Sequence, residues 1–109
     1  MAAGFVVLRS GAGFHFVLKG GNHEIILTSE HYQSHAAALA GIASVRVNAS
    51  LDARYERKTA RDGRPMFNLK AANGECIGTS ETYSSGVARE IGIDSVKTNA
   101  PVALIDDRP

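Results

Sequence analysis

The sequence is poor in the residues that build disulfide frameworks, membrane spans and strongly charged surfaces. A single cysteine, Cys76, in 109 residues excludes an intramolecular disulfide and a cluster of cysteine metal ligands. Tryptophan is absent and the formal net charge is only +1, so overall charge favours neither nucleic acid nor an anionic membrane as partner. The N-terminal apolar run FVVL is too short for a signal peptide or a membrane span. We therefore expect a cytoplasmic protein that does not bind membranes.

The chain contains an internal sequence repeat. Residues 16–49 align without a gap on residues 67–100, and roughly half of the aligned positions are identical. The segment TSEHYQS, for example, recurs as TSETYSS. A length of 109 residues suits one compact core. The sequence thus predicts a single domain, residues 1–109, made of two repeats that cover about 1–51 and 52–109.

Three strands are predicted at the start of each repeat. In the first repeat they are FVVLRS, FHFVLKG and EIILTS, separated by GAG and GNH, and residues at every second position of FHFVLKG share one face. In the second repeat, RDGR separates the first two strands, and Asn73-Gly74 predicts a type I′ turn with positive φ at both residues. His23 stands where that glycine would be, so the first repeat's turn is either strained or of another type.

A helix is predicted after the third strand of each repeat. Ser34 and Ser85 have the side chain and position of N-caps, and HAAALAGIASVRVNA and GVAREIGIDSVKTNA follow with apolar residues at helical spacing. Gly41 and Gly92 mark either a close contact between helix and sheet or a break in the helix. Beyond the second helix, APVALIDD is long enough for one more strand.

The segment FNLKAANGECIGTSETYSS, followed by GIDSVKTNA, closely resembles the YegP-like family of small uncharacterised prokaryotic proteins, and the resemblance extends over nearly the whole chain. It implies an α+β fold, in which a duplicated β-β-β-α-β unit forms one antiparallel sheet with two helices on one face. The C-terminal strands are exchanged, so that the strand around Val102–Asp106 pairs with the first repeat. The family brings no established activity.

The repeated Thr-Ser-Glu-x-Tyr-x-Ser segment allows two interpretations. The tyrosine hydroxyl and the helix N-terminus could hold an anion. Alternatively, Ser34 and Ser85 cap the helices, at about 1 kcal/mol each, while Tyr32 and Tyr83 anchor the connection. We favour the structural interpretation, because residues that shape a connection must recur wherever the connection recurs.

All four histidines, His15, His23, His31 and His35, lie in the first repeat. His31 and His35 are four residues apart and would form a two-imidazole metal site if the helix began early. Ser34 as the N-cap instead places His31 in a loop, and no carboxylate or cysteine stands at ligand spacing, so we predict neither a metal nor another cofactor. A metal- or ligand-dependent enzyme or regulator that uses the diverged first repeat remains the alternative.

A basic stretch, ARYERKTARDGR, contains five cationic residues and one tyrosine: Arg54, Tyr55, Arg57, Lys58, Arg61 and Arg64. A weak nucleic-acid binder would need these charges on one face beside stacking aromatics. A charged strand also protects a sheet edge from unwanted pairing, which is the interpretation we favour. Cys76 lies in a predicted strand without a nearby histidine, which indicates an apolar filler rather than a nucleophile.

The third strand of the first repeat, EIIL, carries apolar residues at consecutive positions and so adds hydrophobic surface to both sheet faces. Two helices cover only one face, so Val17, Ile25 and Leu27 are expected to contribute to a ligand-binding surface on the other, with Tyr32 and Tyr83 nearby. No catalytic constellation is recognisable. The sequence therefore predicts a small non-catalytic binding or interaction protein, a monomer or weak homodimer, whose partner is an unidentified protein or small molecule.

Overall fold

The computed structural model describes residues 3–108 and contains seven strands and two helices. In chain order the elements are β1 (Gly4–Ser10), β2 (Gly13–Lys19), β3 (Ile25–Thr28), α1 (His35–Asn48), β4 (Tyr55–Thr59), β5 (Pro65–Lys70), β6 (Cys76–Thr79), α2 (Gly86–Asn99) and β7 (Leu104–Arg108), with a 3₁₀ turn at Asp52–Arg54. Neither helix is long and apolar enough to cross a membrane, as far as residues 3–108 are concerned.

All seven strands belong to one sheet, in the order β4-β5-β6-β3-β2-β1-β7. Each repeat contributes a three-stranded meander, and the two meanders meet where Thr28 of β3 pairs with Thr79 of β6. The helices pack across the boundary: α1 contacts β2, β5 and β6, whereas α2 contacts β3 and β5. The predicted α+β architecture of two repeats is confirmed.

The C-terminal strand is exchanged as expected, since β7 follows α2 of the second repeat and pairs with β1 of the first. This pair is parallel, and in that respect the prediction of a wholly antiparallel sheet is wrong. The strand that follows α1 is β4, which lies beside β5. In the same way, β7 follows α2. Because β1 is the first-repeat equivalent of β4, repeat symmetry gives β7 the same strand direction as β1. The place beside β2 is already filled by β1, so β7 adds to its outer edge.

A single hydrophobic core lies between the helices and one face of the sheet. The aromatic side chains Phe5, Phe16 and Phe67 are fully buried there, and Ile42 of α1 and Ile93 of α2 pack onto them from above. Strand alternation sends every second side chain into this core and the intervening ones to the opposite, uncovered face. We call this uncovered face the open face.

The hairpin turns differ from the predicted type. Among the described residues Gly74 has φ 86° whereas Asn73 does not have a positive φ, so a type I′ turn is excluded. Instead Gly74 N–H donates to Ala71 O, and Ala71 N–H donates to Glu75 O, which is a three-residue loop closed by a residue in the left-handed region.

The first repeat makes the equivalent loop with a histidine in the strained position. His23 has φ 68° and donates its N–H to Gly20 O at 2.9 Å, the same distance as in the second repeat. The turn is therefore both strained and of another type than I′, so the two predicted alternatives hold together. A left-handed non-glycine residue costs about 1–2 kcal/mol.

Candidate functional site

The connection between the third strand and the helix is built identically in the two repeats. Ser34 Oγ accepts a hydrogen bond from Ala37 N at 3.0 Å, and Ser85 Oγ accepts one from Ala88 N at 3.1 Å. Each serine has extended backbone angles and occupies the N-cap position. The helix begins only after the cap, and its first-turn amide is already satisfied by the protein's own side chain.

A second pair of serines holds the same connection to the sheet, which the sequence patterns did not single out. Ser29 is buried and its Oγ accepts a hydrogen bond from Phe16 N at 2.9 Å, while donating to Glu30 O at 2.8 Å. Ser80 repeats these bonds with Phe67 N and Glu81 O. Their identity in both copies was a visible signal, but nothing in the sequence revealed which backbone groups they satisfy.

The tyrosines of the segment are wedged between the sheet and the helix. The Tyr32 ring stacks on Phe16 with centroids 6.0 Å apart, and its hydroxyl end lies against Gly41, where a Cβ atom would overlap it. Tyr83 makes the same contacts with Phe67 and Gly92. The two helix glycines therefore mark a close contact and not a break.

Burial favours the protonated form of the Tyr32 and Tyr83 hydroxyls. Desolvation raises the pKa of Tyr32, with a smaller contribution from the negative charge of Glu30, and burial likewise raises the pKa of Tyr83. Both rings serve the packing of the connection. A role for Tyr32 and Tyr83 in ligand binding stays a prediction.

The two histidines considered as metal ligands have different partners. His31 Nε2 lies 3.0 Å from Ser10 O, at the turn between β1 and β2, whereas His35 Nε2 lies 2.6 Å from Asp107 Oδ2 on β7. The His35 ring also packs edge-on against Phe14. No group of three or more histidine, cysteine or carboxylate side chains suited to a metal ion occurs within residues 3–108.

The basic stretch lies at the sheet edge that has no further strand, as β4 ends the sheet. Arg57 donates hydrogen bonds to both carboxylate oxygens of Glu90 and also pairs with Asp52, so much of its charge is compensated. Tyr55 is buried and donates its hydroxyl proton to Ala49 O at 2.6 Å, and is therefore unavailable for stacking on bases. The one aromatic side chain of the basic stretch therefore belongs to the core.

Cys76 is half-buried on the open face. Its Sγ lies 3.4 Å from Gly78 O, and 3.8 Å from both Glu30 Oε2 and Thr79 Oγ1. It faces polar groups, so its surroundings are less apolar than the sequence suggested.

Of the residues expected on the open face, Leu27 is not there. It is 1% exposed and belongs to the core, where its side chain occupies the space beside Gly78. The prediction for Leu27 was wrong because Leu27 pairs with buried Leu18 and shares its face. A register shift between Leu18 and Lys19 then pairs Ile25 with Lys19, so Ile25 and Leu27 do not share a face. Ile25 is 39% exposed.

Val17 does point to the open face, yet it is only 4% exposed. It pairs with Val6 on one side and Thr28 on the other. The corresponding part of the second repeat is polar: Thr79 Oγ1 lies 3.1 Å from Asn68 Oδ1. Apolar character on the open face is thus concentrated in the first repeat.

A cavity of about 190 Å³ opens beside this apolar region. It is bounded by the exchanged strand β7, by β1 and by the turn after β2, and its lining consists of Gly4, Val6, Lys19, Gly20, His23, Asp106 and Arg108. Asp106 and Arg108 form an ion pair across 2.7 Å. One wall of the cavity is supplied by β7, which pairs with the first repeat only. Sequence reasoning missed it, since its walls come from opposite ends of the chain.

A second, wider groove lies on the helix side of the same end of the sheet and is lined by Arg9, Phe14, His35 and Asp107. The Arg9 guanidinium lies 5.1 Å from the centre of the Phe14 ring. The polar side chains here have partners within the protein: His35 contacts Asp107, and Arg9 lies over the aromatic ring.

Comparison with known proteins identifies relatives over nearly the whole chain. The family model "Domain of unknown function (DUF1508)" matches twice, over residues 10–56 and 60–107. A UPF0339 protein of Bordetella pertussis is 56% identical over 108 residues, covering 99% of this chain and 97% of the relative. The UPF0339 protein YegP of Escherichia coli O157:H7 is 51% identical, with 98% of each chain covered.

Two solution NMR structures have the same fold. That of yegP from E. coli, titled as a protein of unknown function, is 50% identical and superposes with a TM-score of 0.91, covering 99% of this chain and 94% of its own. That of a UPF0339 protein from Shewanella oneidensis is 46% identical, with a TM-score of 0.90 and coverage of 98% and 92%. The chain, with its two matches to the family model, belongs to the DUF1508 (UPF0339) family, whose members named here are of unknown function.

Proposed function

We propose that this protein is a non-catalytic cytoplasmic binding protein that takes a small molecule on the first-repeat half of the open face. The cavity between β7, β1 and the turn after β2 carries this proposal. It combines an apolar wall, Val6, with the polar groups of Lys19, His23, Asp106 and Arg108. Ligand sites are typically concave and mix apolar walls with a few polar groups.

The absence of catalysis is part of the proposal. The polar groups repeated in both copies, Ser29, Ser34 and their equivalents, satisfy backbone amides of the connections. His35 and Asp107 tie the start of α1 to the exchanged strand. These side chains already serve structural contacts, which supports a binding role over an enzymatic one.

A monomer, or at most a weak homodimer, is the state we propose. The unpaired edge strand β4 exposes Glu56, Arg57 and Lys58, and charged side chains on an edge oppose pairing with another chain. The shared core beneath both helices supports folding of the two repeats as one domain. On β4, Glu56 and Arg57 pair with charged neighbours, which argues against nucleic acid as the partner.

The test is an NMR screen of polar metabolites against the ¹⁵N-labelled protein. We expect at least one compound to shift amide signals of β1, β2 and β7 in a saturable way, and to be recovered chemically unchanged. Val6→Phe, which fills the cavity, should abolish those shifts. Leu8→Phe is the matched control, because Leu8 lies on the same strand and face but does not line the cavity.

Three results would refute the proposal. One is saturable binding that survives Val6→Phe unchanged, since the ligand would then lie elsewhere. The second is the absence of any saturable binding at millimolar concentration. Conversion of the bound compound to a product would refute the non-catalytic part.

A further inference from the structure

Two lysines occupy equivalent positions in the two repeats but have different surroundings. Lys70, at the end of β5, lies 3.1 Å from the carboxylate of Glu56 on β4. Lys19, at the end of β2, is its equivalent. No ion pair of Lys19 occurs among residues 3–108, where Lys70 and Arg108 do have carboxylate partners.

The reason is a substitution on the neighbouring strand. Glu56 pairs with Asn68, two residues before Lys70, and Val6 pairs with Val17, two residues before Lys19. Val6 therefore stands where the second repeat has the glutamate. Sequence alignment did not show this equivalence, because the first strands are offset by 50 residues whereas the second strands are offset by 51.

The uncompensated ammonium group belongs to a residue that lines the cavity. Lys19 is half-buried, and the other cationic side chain in the lining, Arg108, is neutralised by Asp106. Together Lys19, Asp106 and Arg108 carry one net positive charge. A cation held partly out of water gains most from a ligand of opposite charge that restores its lost solvation.

His23 adds a second feature at the same place. His23 is the equivalent of Gly74 in the second repeat. It adopts the same left-handed backbone conformation, although this conformation costs free energy for a residue with a side chain. Strained backbone conformations concentrate at binding sites, where the side chain is needed.

From the cavity, the missing carboxylate and the strained histidine, we propose that the ligand carries a carboxylate or phosphate group that binds the Lys19 ammonium. The anion takes the place that Glu56 occupies in the second repeat. A volume of about 190 Å³ corresponds to roughly six water molecules, so the cavity accepts a small anion and not a nucleotide-sized ligand. This inference rests on the proposed binding function and names the chemistry that the site selects.

The experiment titrates the ¹⁵N-labelled protein with sodium phosphate and, separately, with sodium acetate, each against sodium chloride at constant ionic strength. We expect saturable shifts of the Gly4, Val6, Lys19 and Gly20 amides with at least one of the two anions. Lys19→Gln should weaken binding about tenfold or more, as expected for a hydrogen bond to a charged group. Lys70→Gln is the matched control and should leave the affinity unchanged.

A second variant tests the same idea by adding a charge. Val6→Glu restores the arrangement of the second repeat and should abolish anion binding, because its own carboxylate pairs with Lys19. Val6→Gln has nearly the same size without the charge and should retain binding within about threefold. The second repeat accommodates a glutamate at the equivalent site, so both variants are expected to fold, which their amide spectra check directly.

The outcomes separate the two proposals. Saturation by phosphate alone or by acetate alone supports the inference and identifies the anionic group of the ligand. Saturation by neither anion overturns it, as does binding that survives Lys19→Gln. If a neutral compound binds at this cavity and Lys19→Gln leaves its affinity unchanged, the anion inference fails while the proposed binding function stands.

Discussion

The buried serines Ser29 and Ser80 give the sharpest test of how the strand-to-helix connections are held. We consider replacing each by alanine. The change removes the acceptor of a hydrogen bond from the Phe16 or Phe67 amide, at 2.9 Å in both repeats. The rest of the serine's volume is kept, so the effect isolates one hydrogen bond.

The expected loss in free energy of unfolding depends on which of the serine's hydrogen-bond partners water can reach after the substitution. The Phe16 amide lies in β2 on a residue that is fully buried, so without Ser29 it has no replacement acceptor. An unsatisfied buried donor costs about 1–3 kcal/mol. The other partner, the Glu30 carbonyl, belongs to an exposed residue that we expect water to reach. We therefore expect each variant to lose about 2 kcal/mol of its free energy of unfolding.

Urea denaturation measures this loss directly, and thermal unfolding should show a decrease in Tm of roughly 8–16 °C for a chain of this length. Hydrogen exchange should also become faster at the Phe16 or Phe67 amide. Ser84→Ala is the control, because Ser84 is exposed and its replacement should change stability by less than about 0.5 kcal/mol. A loss below about 0.5 kcal/mol in both Ser29→Ala and Ser80→Ala would refute the reasoning.

Two further predictions concern packing and charge. Gly41→Ala gains about 1 kcal/mol of helix propensity, but its methyl group overlaps the Tyr32 ring at a cost of about 1–3 kcal/mol, so urea denaturation should show no net gain. Gly86→Ala, with nothing nearer than 3.9 Å, should not lose stability, and a Gly41→Ala protein more stable than wild type would contradict this. Hydrogen bonds from Lys97 and Arg57 lower the pKa of Asp52, so its stabilisation is present above about pH 4 and is lost as the pH falls through the folded-state value. Asp52→Asn should therefore flatten the pH dependence of stability below about pH 4, and an unchanged slope would count against this pairing.

The repeat made the secondary structure of this protein largely predictable. Both helices begin at the predicted caps, Ser34 and Ser85, because capping and helical periodicity are local properties of the sequence. The exchanged strand at Leu104–Arg108 was anticipated through family resemblance, although not its parallel direction. The turn type at Asn73-Gly74 was wrong, since the same dipeptide suits a three-residue loop in which only the glycine is left-handed.

The candidate site was much less predictable, for a physical reason. Its lining joins Gly4 and Val6 near the N-terminus to Asp106 and Arg108 near the C-terminus, and only the pairing of β1 with β7 brings them together. Leu27 was misplaced because it pairs with buried Leu18, and a register shift places Ile25 on the other face. Neither effect leaves a signal in local periodicity.

By itself, the sequence determined the duplicated unit, its strands and helices, the helix caps and the family. These depend on local sequence patterns, and each pattern occurs in both repeats. The tertiary structure alone decided which face Leu27 takes, why Ser29 and Ser80 are repeated, and how two equivalent lysines differ. The lysines differ because Val6 stands where the second repeat has Glu56, and because β7 pairs with one repeat only. Lys70 therefore has a carboxylate partner, whereas Lys19 lies beside a cavity whose lining carboxylate, Asp106, pairs with Arg108.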